Sequence, residues 1–380
     1  MTHVLTVNAG SSSLKYALYE KADAPAVVAQ GKVGRIGGAA VLTPEGAPQR
    51  SLPDGTDHAG ALSAVLDTLK ASHPGARIDV VGHRVVHGGP DYAAPMVLTD
   101  EVLARLDQFA PFAPLHQPHN LAGVRAAKAA FPDALQVACF DTAFHRGHPF
   151  VNDTFALPRS YYDRGVRRYG FHGLSYDYIA GELRHRYPEL KRVAVAHLGN
   201  GASMCALLDD TSVASTMGFS ALDGLPMGTR CGQLDPGVVL YLMDQEGMSA
   251  EEITDLLYKE SGLKGMSGIS NDMRELEASD DPHATEALDY FTFRIRRELG
   301  AMAAVLGGLD GLVFCGGIGE NSAHIRGRVC DGMGWLGISV DEAANQANAG
   351  VISDGPTKVL VIPTNEEIVI ARAAVQLAGA

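Results

Sequence analysis

Short apolar runs that alternate with helix-like segments restrict the fold of this chain more than any other feature. Each run ends in a Gly-rich or polar turn, and amphipathic segments of helical length lie between several of them. The predicted strands cover residues 4–7, 14–19, 80–81, 137–140, 193–196, 203–208, 312–315 and 359–362. The predicted helices cover residues 59–72, 118–130, 175–187, 284–306 and 368–377. Strands that alternate with helices in this way predict an α/β fold.

Two parts of the chain, residues 4–19 and 193–208, share one layout. Each is predicted to form a strand, a turn of small residues and a second strand. Because each lies near the start of a proposed domain, the pair indicates a duplicated fold; two unrelated hairpins are the alternative, since hairpin turns with glycine are common. A chain of 380 residues is long enough for two or three domains. Turn-forming residues between 145 and 160 place the boundary of the first domain at 148/149.

Composition and charge exclude several functional classes. Hydrophobic residues make up 46% of the chain and charged residues 20%, which is an ordinary globular composition. The formal net charge of −13 offers no basic surface to nucleic acid or to an anionic membrane. No apolar stretch approaches the ~20 residues of a membrane span. The five cysteines form no C-x-x-C pair and no secretory signal precedes the first strand, so we expect reduced thiols in a cytoplasmic protein.

Residues 8–15, NAGSSSLK, have the composition of a phosphate-binding turn. Glycine and small residues let the backbone approach a phosphate closely, and the N–H groups of a turn converge on anions. Three hydroxyls and Lys15 add hydrogen-bond donors and a positive charge, while the amide oxygen of Asn8 suits a hard cation. A Ser-rich turn without a ligand is the alternative.

Two further Gly-rich turns are candidates for a nucleotide site. Residues 197–201, HLGNG, repeat the first turn in the second half of the chain, although a type I′ turn also explains them. Residues 315–321, CGGIGEN, follow a predicted strand; their glycines leave room for a base or ribose, and Glu320 or Asn321 can bind its polar edge. A tight strand-to-helix turn is the alternative there. No Walker A sequence occurs, and the G-x-G-x-x-G at 332–337 follows a helix-like segment, which disfavours dinucleotide binding.

Arginines in Gly-flanked loops form another group of candidates. Arg84 lies in HRVVHGG, Arg167 and Arg168 lie with His172 in RRYGFHG, and Arg230 lies in MGTRCG. A guanidinium group can bind carboxylate or phosphate oxygens in a bidentate geometry, and flanking glycines let the backbone bring it close to such a group. For each arginine, a surface salt bridge is the alternative.

Acidic residues complete the set. Asp141 follows the strand at 137–140, at the edge where α/β proteins build their sites, although it also fits the N-cap of the next segment. Thr364 and Glu367 match the T-x-x-E capping box of a helix N-terminus. That assignment gives Glu367 a structural role and leaves Glu366 available for a metal ion.

Along nearly its whole length the chain resembles the acetate kinase family. The matching stretches, in the family's order and at similar spacing, are VNAGSSSLKY, GHRVVHGG, APLHQPHN, FDTAFH, RRYGFHGLS, HLGNGAS, MGTRCG, GIGENSA and IPTNEE. The resemblance implies the actin, sugar kinase and heat-shock chaperone fold, with ATP in the cleft between two duplicated α/β domains. These domains would be residues 1–148 with about 366–380, and residues 149–365. It also implies a homodimer, ATP or ADP as co-substrate, magnesium (which manganese can replace), and phosphorylation of acetate to acetyl phosphate.

The same resemblance assigns site residues, position by position. The residues that match the family's magnesium residues are Asn8 and Glu366. Those that match its catalytic and carboxylate-binding groups are Arg84, Asp141, His172 and Arg230. Those that match its apolar pocket for the acyl group are Val86, Leu115 and Phe171. The predicted ATP contacts, including the hydroxyls of the first turn, are Ser11, Ser13, Lys15, His197, Leu198, Gly199, Asn200, Gly201, Asp272, Met273, Arg274, Gly317, Ile318, Gly319, Glu320 and Asn321.

One departure from the family concerns the acyl pocket. Ala221 stands where the family has a proline that lines this pocket, which puts a strict preference for acetate in question. Acetate remains the expected substrate, and a propionate or butyrate kinase is the nearest alternative. An ATP-driven conformational protein of the actin or chaperone type is the alternative from another class, and a sugar kinase is a third. A carboxylate is already ionised at neutral pH, so its phosphorylation needs no general base, whereas a sugar hydroxyl does.

Overall fold

The chain divides into two units, one formed by residues 1–146 with 365–380 and the other by residues 147–364. A computed structural model describes residues 2–10 and 12–379. Each strand and each helix expected from the sequence overlaps an observed element of the same type. The domain limits expected from the sequence, 148/149 and about 365/366, stay a prediction.

The first unit is built on one mixed sheet. Its strands are β1 Thr2–Ala9, β2 Ser13–Glu20, β3 Val27–Gly34, β4 Val41–Pro44, β5 Arg50–Ser51, β6 Arg77–Val85, β7 Met96–Val97 and β8 Leu135–Phe140. Its helices are α1 His58–Ser72, α2 Asp100–Asp107, α3 Gln117–Ala130 and, from the end of the chain, α15 Glu366–Ala378, with 3₁₀ turns at Ala110–Phe112 and Ala143–His145. The strand order is β5–β4–β3–β2–β1–β6–β8–β7, and β1, β6 and β8 are parallel.

The centre of this sheet is buried on both faces because helices cover each side. Strand β1 is buried almost throughout, as expected for a strand whose two faces are both covered. On one face, Leu62 and Val65 of α1 pack in the core. On the other face α15 lies so close to β6 that a Cβ atom on Gly82 would be 2.5 Å from Cγ2 of Ile370. The carboxyl ends of β1, β6 and β8 therefore meet at one well-supported edge.

The N-terminus of α15 differs from the sequence-based expectation. Asn365 is the N-cap, and its Oδ1 accepts a hydrogen bond from the Ile368 N–H at 3.1 Å. The capping box assigned to Thr364 and Glu367 is wrong. The hydroxyl of Thr364 instead accepts a hydrogen bond from Ser175 at 2.8 Å, so it is used within the second unit.

The second unit also contains one mixed sheet, with more helices around it. Its strands are β9 Arg192–Leu198, β10 Ala202–Leu208, β11 Thr211–Ser215, β12 Gly311–Cys315 and β13 Lys358–Val361, in the order β11–β10–β9–β12–β13. Its helices are α4 Phe150–Asp153, α5 Arg159–Asp163, α6 Gly173–Arg186, α7 Pro236–Asp244, α8 Ala250–Asp255, α9 Gly262–Ser267, α10 Met273–Glu277, α11 Pro282–Leu306, α12 Gly316–Asn321, α13 Ala323–Cys330 and α14 Glu342–Gln346. A π-helical turn at Leu256–Glu260 and a 3₁₀ turn at Gly334–Leu336 complete it.

The two sheets share one connectivity. Each starts with an antiparallel hairpin, β1–β2 or β9–β10, and a third antiparallel strand, β3 or β11, follows. Each then adds two parallel strands on the other side of its first strand, β6 and β8 or β12 and β13. The hairpins expected from the sequence are thus confirmed, and the α/β fold with two duplicated sheets is confirmed with them.

Candidate active site

A buried ion pair lies at the carboxyl edge of the first sheet. Arg84 is in β6 and Asp141 directly follows β8, and the two strands are parallel neighbours. Nε of Arg84 donates to both carboxylate oxygens of Asp141, at 2.9 and 3.1 Å, and Nη2 donates to Oδ2. The Asp141 side chain is 1% exposed and that of Arg84 is 16% exposed. Asp141 is not an N-cap, because the next turn is capped by Thr142 without a side-chain hydrogen bond.

The electrostatics of this pair are set by burial and by mutual attraction. Burial raises the pKa of Asp141, and the Arg84 charge acts in the opposite direction. Burial alone would lower the pKa of Arg84, but the charge and hydrogen bonds of Asp141, together with the charges of Glu366 and Glu367, outweigh it and the pKa rises. Both groups therefore depend on each other, because either charge left alone at this depth would be strongly destabilised.

Two carboxylates of α15 extend this cluster through Asn8, at the end of β1. The Asn8 side-chain amide donates to Glu366 Oε2 at 2.9 Å and to Glu367 Oε1 at 3.2 Å. Its Oδ1 accepts from Nη1 of Arg84 at 3.4 Å. The two predicted magnesium residues, Asn8 and Glu366, are thus brought together beside Arg84 and Asp141.

The first predicted phosphate turn closes tightly. The Gly10 N–H donates to the Ser13 carbonyl at 2.8 Å. Lys15 pairs with Asn8 across β1 and β2, and its side chain is exposed. Lys15 and Glu367 both line a small cavity of about 300 Å³ beside β2–β4. Ser11 lies outside the described residues.

The residues predicted to bind the acyl group in the first unit lie next to this edge. Val86 is buried, and its N–H donates to Oδ1 of Asn120 at 2.9 Å. The Asn120 amide in turn donates to the Ala9 carbonyl at 2.7 Å, which ties the segment after β6 to the end of β1. Leu115 is half-buried in the loop before α3.

In the second unit a cavity of about 690 Å³ brings together three predicted ATP-binding segments. This volume lies within the range typical of small-molecule sites, about 300–1,000 Å³. The lining residues that were predicted are Gly199, Asn200, Asp272, Met273, Arg274, Gly317, Ile318 and Asn321. The lining residues that were not predicted are Asn271, Glu277 and Ser322. Glu277 is one turn after Met273 on α10, and that helical spacing is the signal that could have identified it.

Other predicted ATP residues support this cavity from outside it. The predicted residues of the second unit that do not line it are His197, Leu198, Gly201, Gly319 and Glu320. The Glu320 carboxylate accepts hydrogen bonds from the Gly316 N–H at 2.9 Å and the Thr364 N–H at 3.1 Å, so it holds two loops together. Gly316 itself has φ of 74°, and a Cβ atom there would lie 2.7 Å from the Leu198 carbonyl oxygen. Only glycine fits where these two turns meet.

The turn between β9 and β10 differs from the hairpin turn considered for it. Neither Asn200 nor Gly201 has a positive φ, which a type I′ turn requires at both positions, so that alternative is wrong. Asn200 is exposed and lines the cavity, and its carbonyl accepts from the Gly228 N–H at 3.2 Å. A Cβ atom on Gly228, two residues before Arg230, would lie 2.4 Å from Asn200 Oδ1. A side chain at position 228 would therefore disturb the contact between this loop and the β9–β10 turn.

His172 has an unusual backbone conformation. It precedes α6 with φ of 58°, the left-handed region that costs a non-glycine residue about 1–3 kcal/mol and is most often found at functional sites. Its ring stacks on that of His197 with a centroid distance of 4.3 Å. Its Nδ1 is 2.9 Å from Oγ of Ser203 in β10. Phe171, next to it, is buried.

The other arginines divide into two groups. Arg168 pairs with Asp223 at 2.9 Å and Arg167 with Asp153 at 3.7 Å, so the salt-bridge alternative is correct for these two. Nη1 of Arg230 donates to the Ala221 carbonyl at 3.3 Å, which links this predicted catalytic arginine to the predicted pocket residue.

The described residues contain neither a cluster of acidic, histidine and cysteine side chains suited to a metal ion nor a membrane-spanning helix. Within residues 2–10 and 12–379, no group of three or more His, Cys, Asp or Glu side chains is arranged to hold a metal ion. No helix in that part of the chain is long and apolar enough to cross a membrane. The cysteines, all within the described residues, are not joined in disulfides; they are Cys139, Cys205, Cys231, Cys315 and Cys330.

Comparison with known proteins places these features in context. The model of the acetokinase family matches residues 3–372. A protein of Methylocella silvestris named acetate kinase is 58% identical to this chain, covering 97% of this chain and 96% of that protein.

Two solved structures are similar over the whole chain. A propionate kinase from Francisella tularensis has a TM-score of 0.92 and 35% identity, covering 99% of this chain and 100% of that one. An acetate kinase from Porphyromonas gingivalis has a TM-score of 0.88 and 38% identity, covering 100% of both chains. The fold is therefore shared by relatives that are named for two different substrates.

Proposed function

Because the chain belongs to the acetokinase family, we propose that it transfers the γ-phosphoryl group of ATP to acetate, giving ADP and acetyl phosphate. The observation that carries this proposal is the cavity in the second unit, which three predicted ATP-binding segments line together. Acyl phosphates are high-energy products, so the reaction also runs in the direction of ATP synthesis.

The chemical difficulty is the approach of one anion to another. The acetate oxygen is already ionised at neutral pH, so no side chain needs to remove a proton from it. Arg84 binds the carboxylate, and Arg230 and His172 stabilise the charge on the phosphoryl group during transfer. Catalysis of phosphoryl transfer is mostly positioning and electrostatic stabilisation, which fits a site built from cationic side chains and Gly-rich turns.

A magnesium ion fits the donor set of the first unit. The side chains of Asn8 and Glu366 are neighbours, with 2.9 Å between Asn8 Nδ2 and Glu366 Oε2, and each carries an oxygen atom that could coordinate the ion. Magnesium usually takes one or two protein carboxylates and completes its shell with water and substrate phosphates, so it needs no larger cluster of acidic residues. When bound, the ion would neutralise charge on the phosphates of ATP.

The proposed assembly is a homodimer in a reducing, cytoplasmic compartment. None of the residues of α7, Pro236–Asp244, is buried, although Leu240, Tyr241 and Met243 are apolar and 60%, 54% and 49% exposed. An apolar helix left uncovered in this way supports association with a second copy. Cysteines that form no disulfide among the described residues support the reducing compartment.

A propionate kinase is the second candidate function. Two observations favour it: the similarity to the Francisella tularensis structure and the alanine at position 221. Hydrophobic pockets separate substrates that differ by one methylene by only about 10–200-fold, so one enzyme can use both acids.

The experiment that tests the proposal is a hydroxamate assay with formate, acetate, propionate and butyrate, in which hydroxylamine traps the acyl phosphate. We expect acetate to give the highest kcat/KM, with propionate next. Arg84→Gln should lose the signal and Arg168→Gln should keep it, which excludes a contaminating kinase. ATP hydrolysis without any trapped acyl phosphate would contradict the proposal and favour an actin-type ATPase.

A further inference from the structure

Two buried hydroxyl groups form a chain of hydrogen bonds that ends at Nδ1 of His172. Neither has a role in the reaction proposed above. Oγ of Ser203, in β10, is 2.9 Å from Nδ1 of His172. The same Oγ is within hydrogen-bond distance of the hydroxyl of Tyr176, one turn along α6. Ser203 and Tyr176 are both 0% exposed, so neither hydroxyl can exchange these partners for water.

Proton positions in this chain of hydrogen bonds are restricted. The Ser203 hydroxyl has one proton and two neighbours, Tyr176 and His172, so it can donate to only one of them while it accepts from the other. Burial raises the pKa of Tyr176 well above its usual value, so the phenol keeps its proton and remains a donor. A phenol donates more strongly than an aliphatic hydroxyl does, which favours the direction from Tyr176 to Ser203. The Ser203 proton is then directed at Nδ1 of His172.

We propose that Tyr176 and Ser203 are positioning residues that hold His172 as a neutral imidazole with its proton on Nε2. A ring nitrogen that accepts a hydrogen bond cannot carry a proton, so the acceptor role of Nδ1 places the only proton on Nε2. This inference rests on the proposed role of His172 in stabilising the transferring phosphoryl group. It adds that a neutral N–H donor, rather than a cation, provides that stabilisation.

The groups packed around the ring agree with a neutral state. His197, from β9, stacks on His172 at 4.3 Å, and two stacked imidazolium ions would repel each other. Nδ1 of His197 is itself 2.8 Å from Oγ of Ser175. Behind Tyr176, burial raises the pKa of Cys205 to about 12, so that thiol stays neutral, and Cys315 is a second buried thiol nearby.

The Nε2 side of the ring faces the turn between β9 and β10. A Cβ atom on Gly201 would lie 3.2 Å from Nε2, so a side chain at this position would crowd the proposed donor. The glycine leaves the Nε2 edge open beside a predicted phosphate turn. The backbone of His172 is left-handed, with φ of 58°, and this conformation costs free energy in a non-glycine residue. Such a cost agrees with a ring that the surrounding structure holds in one orientation.

The direct test is nitrogen NMR of the full-length protein labelled with ¹⁵N-histidine. Protonated and unprotonated ring nitrogens resonate in separate ranges, and His172 is identified among the 14 histidines by the signals lost in His172→Gln. We expect an unprotonated Nδ1 and a protonated Nε2 at neutral pH. A proton on Nδ1 in the wild-type protein would overturn the proposal whatever the enzymatic activity is.

The kinetic test uses Ser203→Ala and Tyr176→Phe, with Ser215→Ala as the matched control. Ser215 lies on the neighbouring strand β11 and its hydroxyl is buried without a hydrogen-bond partner, so its loss should leave kcat unchanged. Ser203→Ala should lower kcat by about 10–100-fold, by analogy with the loss found when a group that orients a metal-binding histidine is removed, with little change in either KM. Tyr176→Phe should cause a smaller loss, because Ser203 can still donate to His172.

The pH dependence separates this role from a merely structural one. Without Ser203, part of the neutral His172 has its proton on Nδ1 and cannot donate from Nε2. In acid, once the ring gains a second proton, both nitrogens carry protons and the Nε2 donor returns. The relative activity of Ser203→Ala should therefore rise as the pH falls. A loss that is the same at every pH, in a variant with wild-type melting temperature, would contradict the proposal.

Failure of this inference can be distinguished from failure of the proposed function. If wild-type protein forms no acyl phosphate in the hydroxamate assay, the proposed function is wrong, while the NMR result still decides the protonation of His172. If wild-type protein is active but Nδ1 carries the proton, the function stands and the positioning role does not.

Discussion

The two units use one strand connectivity for two kinds of chemistry. In the first unit, the ends of β1, β6 and β8 carry charged and amide groups, with Arg84 and Asp141 paired and Asn8 bound to Glu366. In the second unit, the ends of β9 and β12 carry the Gly-rich turns that line the larger cavity. The shared topology fixes where the turns lie in each sheet, but not what they bind.

The difference has consequences for stability. Each charge of a buried ion pair is costly to desolvate and is stabilised by the other charge. In the first unit, the same side chains therefore contribute to the site and to the stability of the fold. The cavity of the second unit is lined in part by glycine backbone and exposed side chains; Arg274, for example, is 88% exposed. Losing a functional side chain should therefore destabilise the first unit more than the second.

The largest expected effect is that of Arg230→Ala, in the second unit. An arginine that stabilises transferring phosphoryl charge contributes roughly 10³–10⁵ in rate, so kcat should fall by that order while the melting temperature changes little. Steady-state kinetics and thermal unfolding check both parts. Arg186→Ala, an exposed position on α6, is the control. Near-wild-type kcat would remove Arg230 from the mechanism, and a large stability loss would break the comparison between the units.

Arg84→Ala should affect both binding and folding. It removes the clamp for the acid, so KM for acetate should rise, and it leaves the Asp141 carboxylate buried without its partner. Breaking a buried pair typically costs about 3–5 kcal/mol, measurable by chemical denaturation. Arg168→Ala is the control, since its ion pair with Asp223 is partly exposed and should be worth about 0–1 kcal/mol. Equal losses in the two variants would show that burial does not distinguish them.

Acid should destabilise the first unit through His83. This residue is buried against Gln136 at 2.8 Å, and burial lowers its pKa to about 4. The unfolded chain, with a histidine pKa of about 6.5, binds the proton first, so the stabilising contribution is full above 6.5 and is lost as the pH falls toward 4. The loss from this group is about 3 kcal/mol at 1.36 kcal/mol per pKa unit.

Denaturation midpoints measured between these pH values test that assignment. His83→Gln should flatten the pH dependence, whereas His185→Gln, at an exposed position in the second unit, should not. His87 is buried in the same unit with its pKa lowered to about 3, so part of the dependence should remain. A wild-type profile in His83→Gln would show that other groups control acid unfolding.

A smaller effect is expected at the N-terminus of α15. Asn365→Ala removes the cap and should cost about 0.5–2 kcal/mol with little change in magnesium requirement. Glu366→Ala should do the opposite, raising the magnesium concentration needed for half-maximal rate. Magnesium titrations and melting temperatures of both variants decide between them. The reverse pattern would exchange the two roles.

Sequence patterns predicted the framework because strands and helices have distinct apolar spacings. This spacing identified the hairpins at 4–19 and 193–208. It also identified strand β8, and with it the carboxylate that follows the strand. Local motifs were less reliable where a distant residue competes for the same group. Thr364 matched a capping box, but Ser175, far away in sequence, occupies its hydroxyl.

The parts of the site that the sequence did not reveal depend on contacts between distant segments. Nucleotide binding by Glu320 stays a prediction, and the sequence did not show that its carboxylate also holds Gly316 and Thr364 together. Ser203 was not singled out at all, because a serine in an apolar strand has no pattern of its own. Its relation to His172 exists only when β10 and α6 pack together.

The smallest expected effect concerns Ala221, and it tests substrate choice within the second unit. Ala221 lies in a loop that is fixed at both sides: its carbonyl accepts from Arg230 at 3.3 Å, and the Gly218 carbonyl accepts from the N–H groups of Tyr169 and Gly170. A rigid loop is less able to close over the space that a missing proline ring leaves. That space should admit about one extra methylene, worth about 0.8 kcal/mol when buried, or roughly fourfold in kcat/KM.

Ala221→Pro should therefore lower the ratio of propionate to acetate kcat/KM by roughly that factor. Proline lacks an N–H but keeps its carbonyl, so the hydrogen bond from Arg230 can remain and kcat for acetate should be nearly unchanged. Ala221→Val is the control, because it fills similar volume without fixing the backbone. If both substitutions lower the ratio, volume controls the choice of acid. If neither does, neighbouring side chains already fill the gap, and position 221 does not determine the substrate.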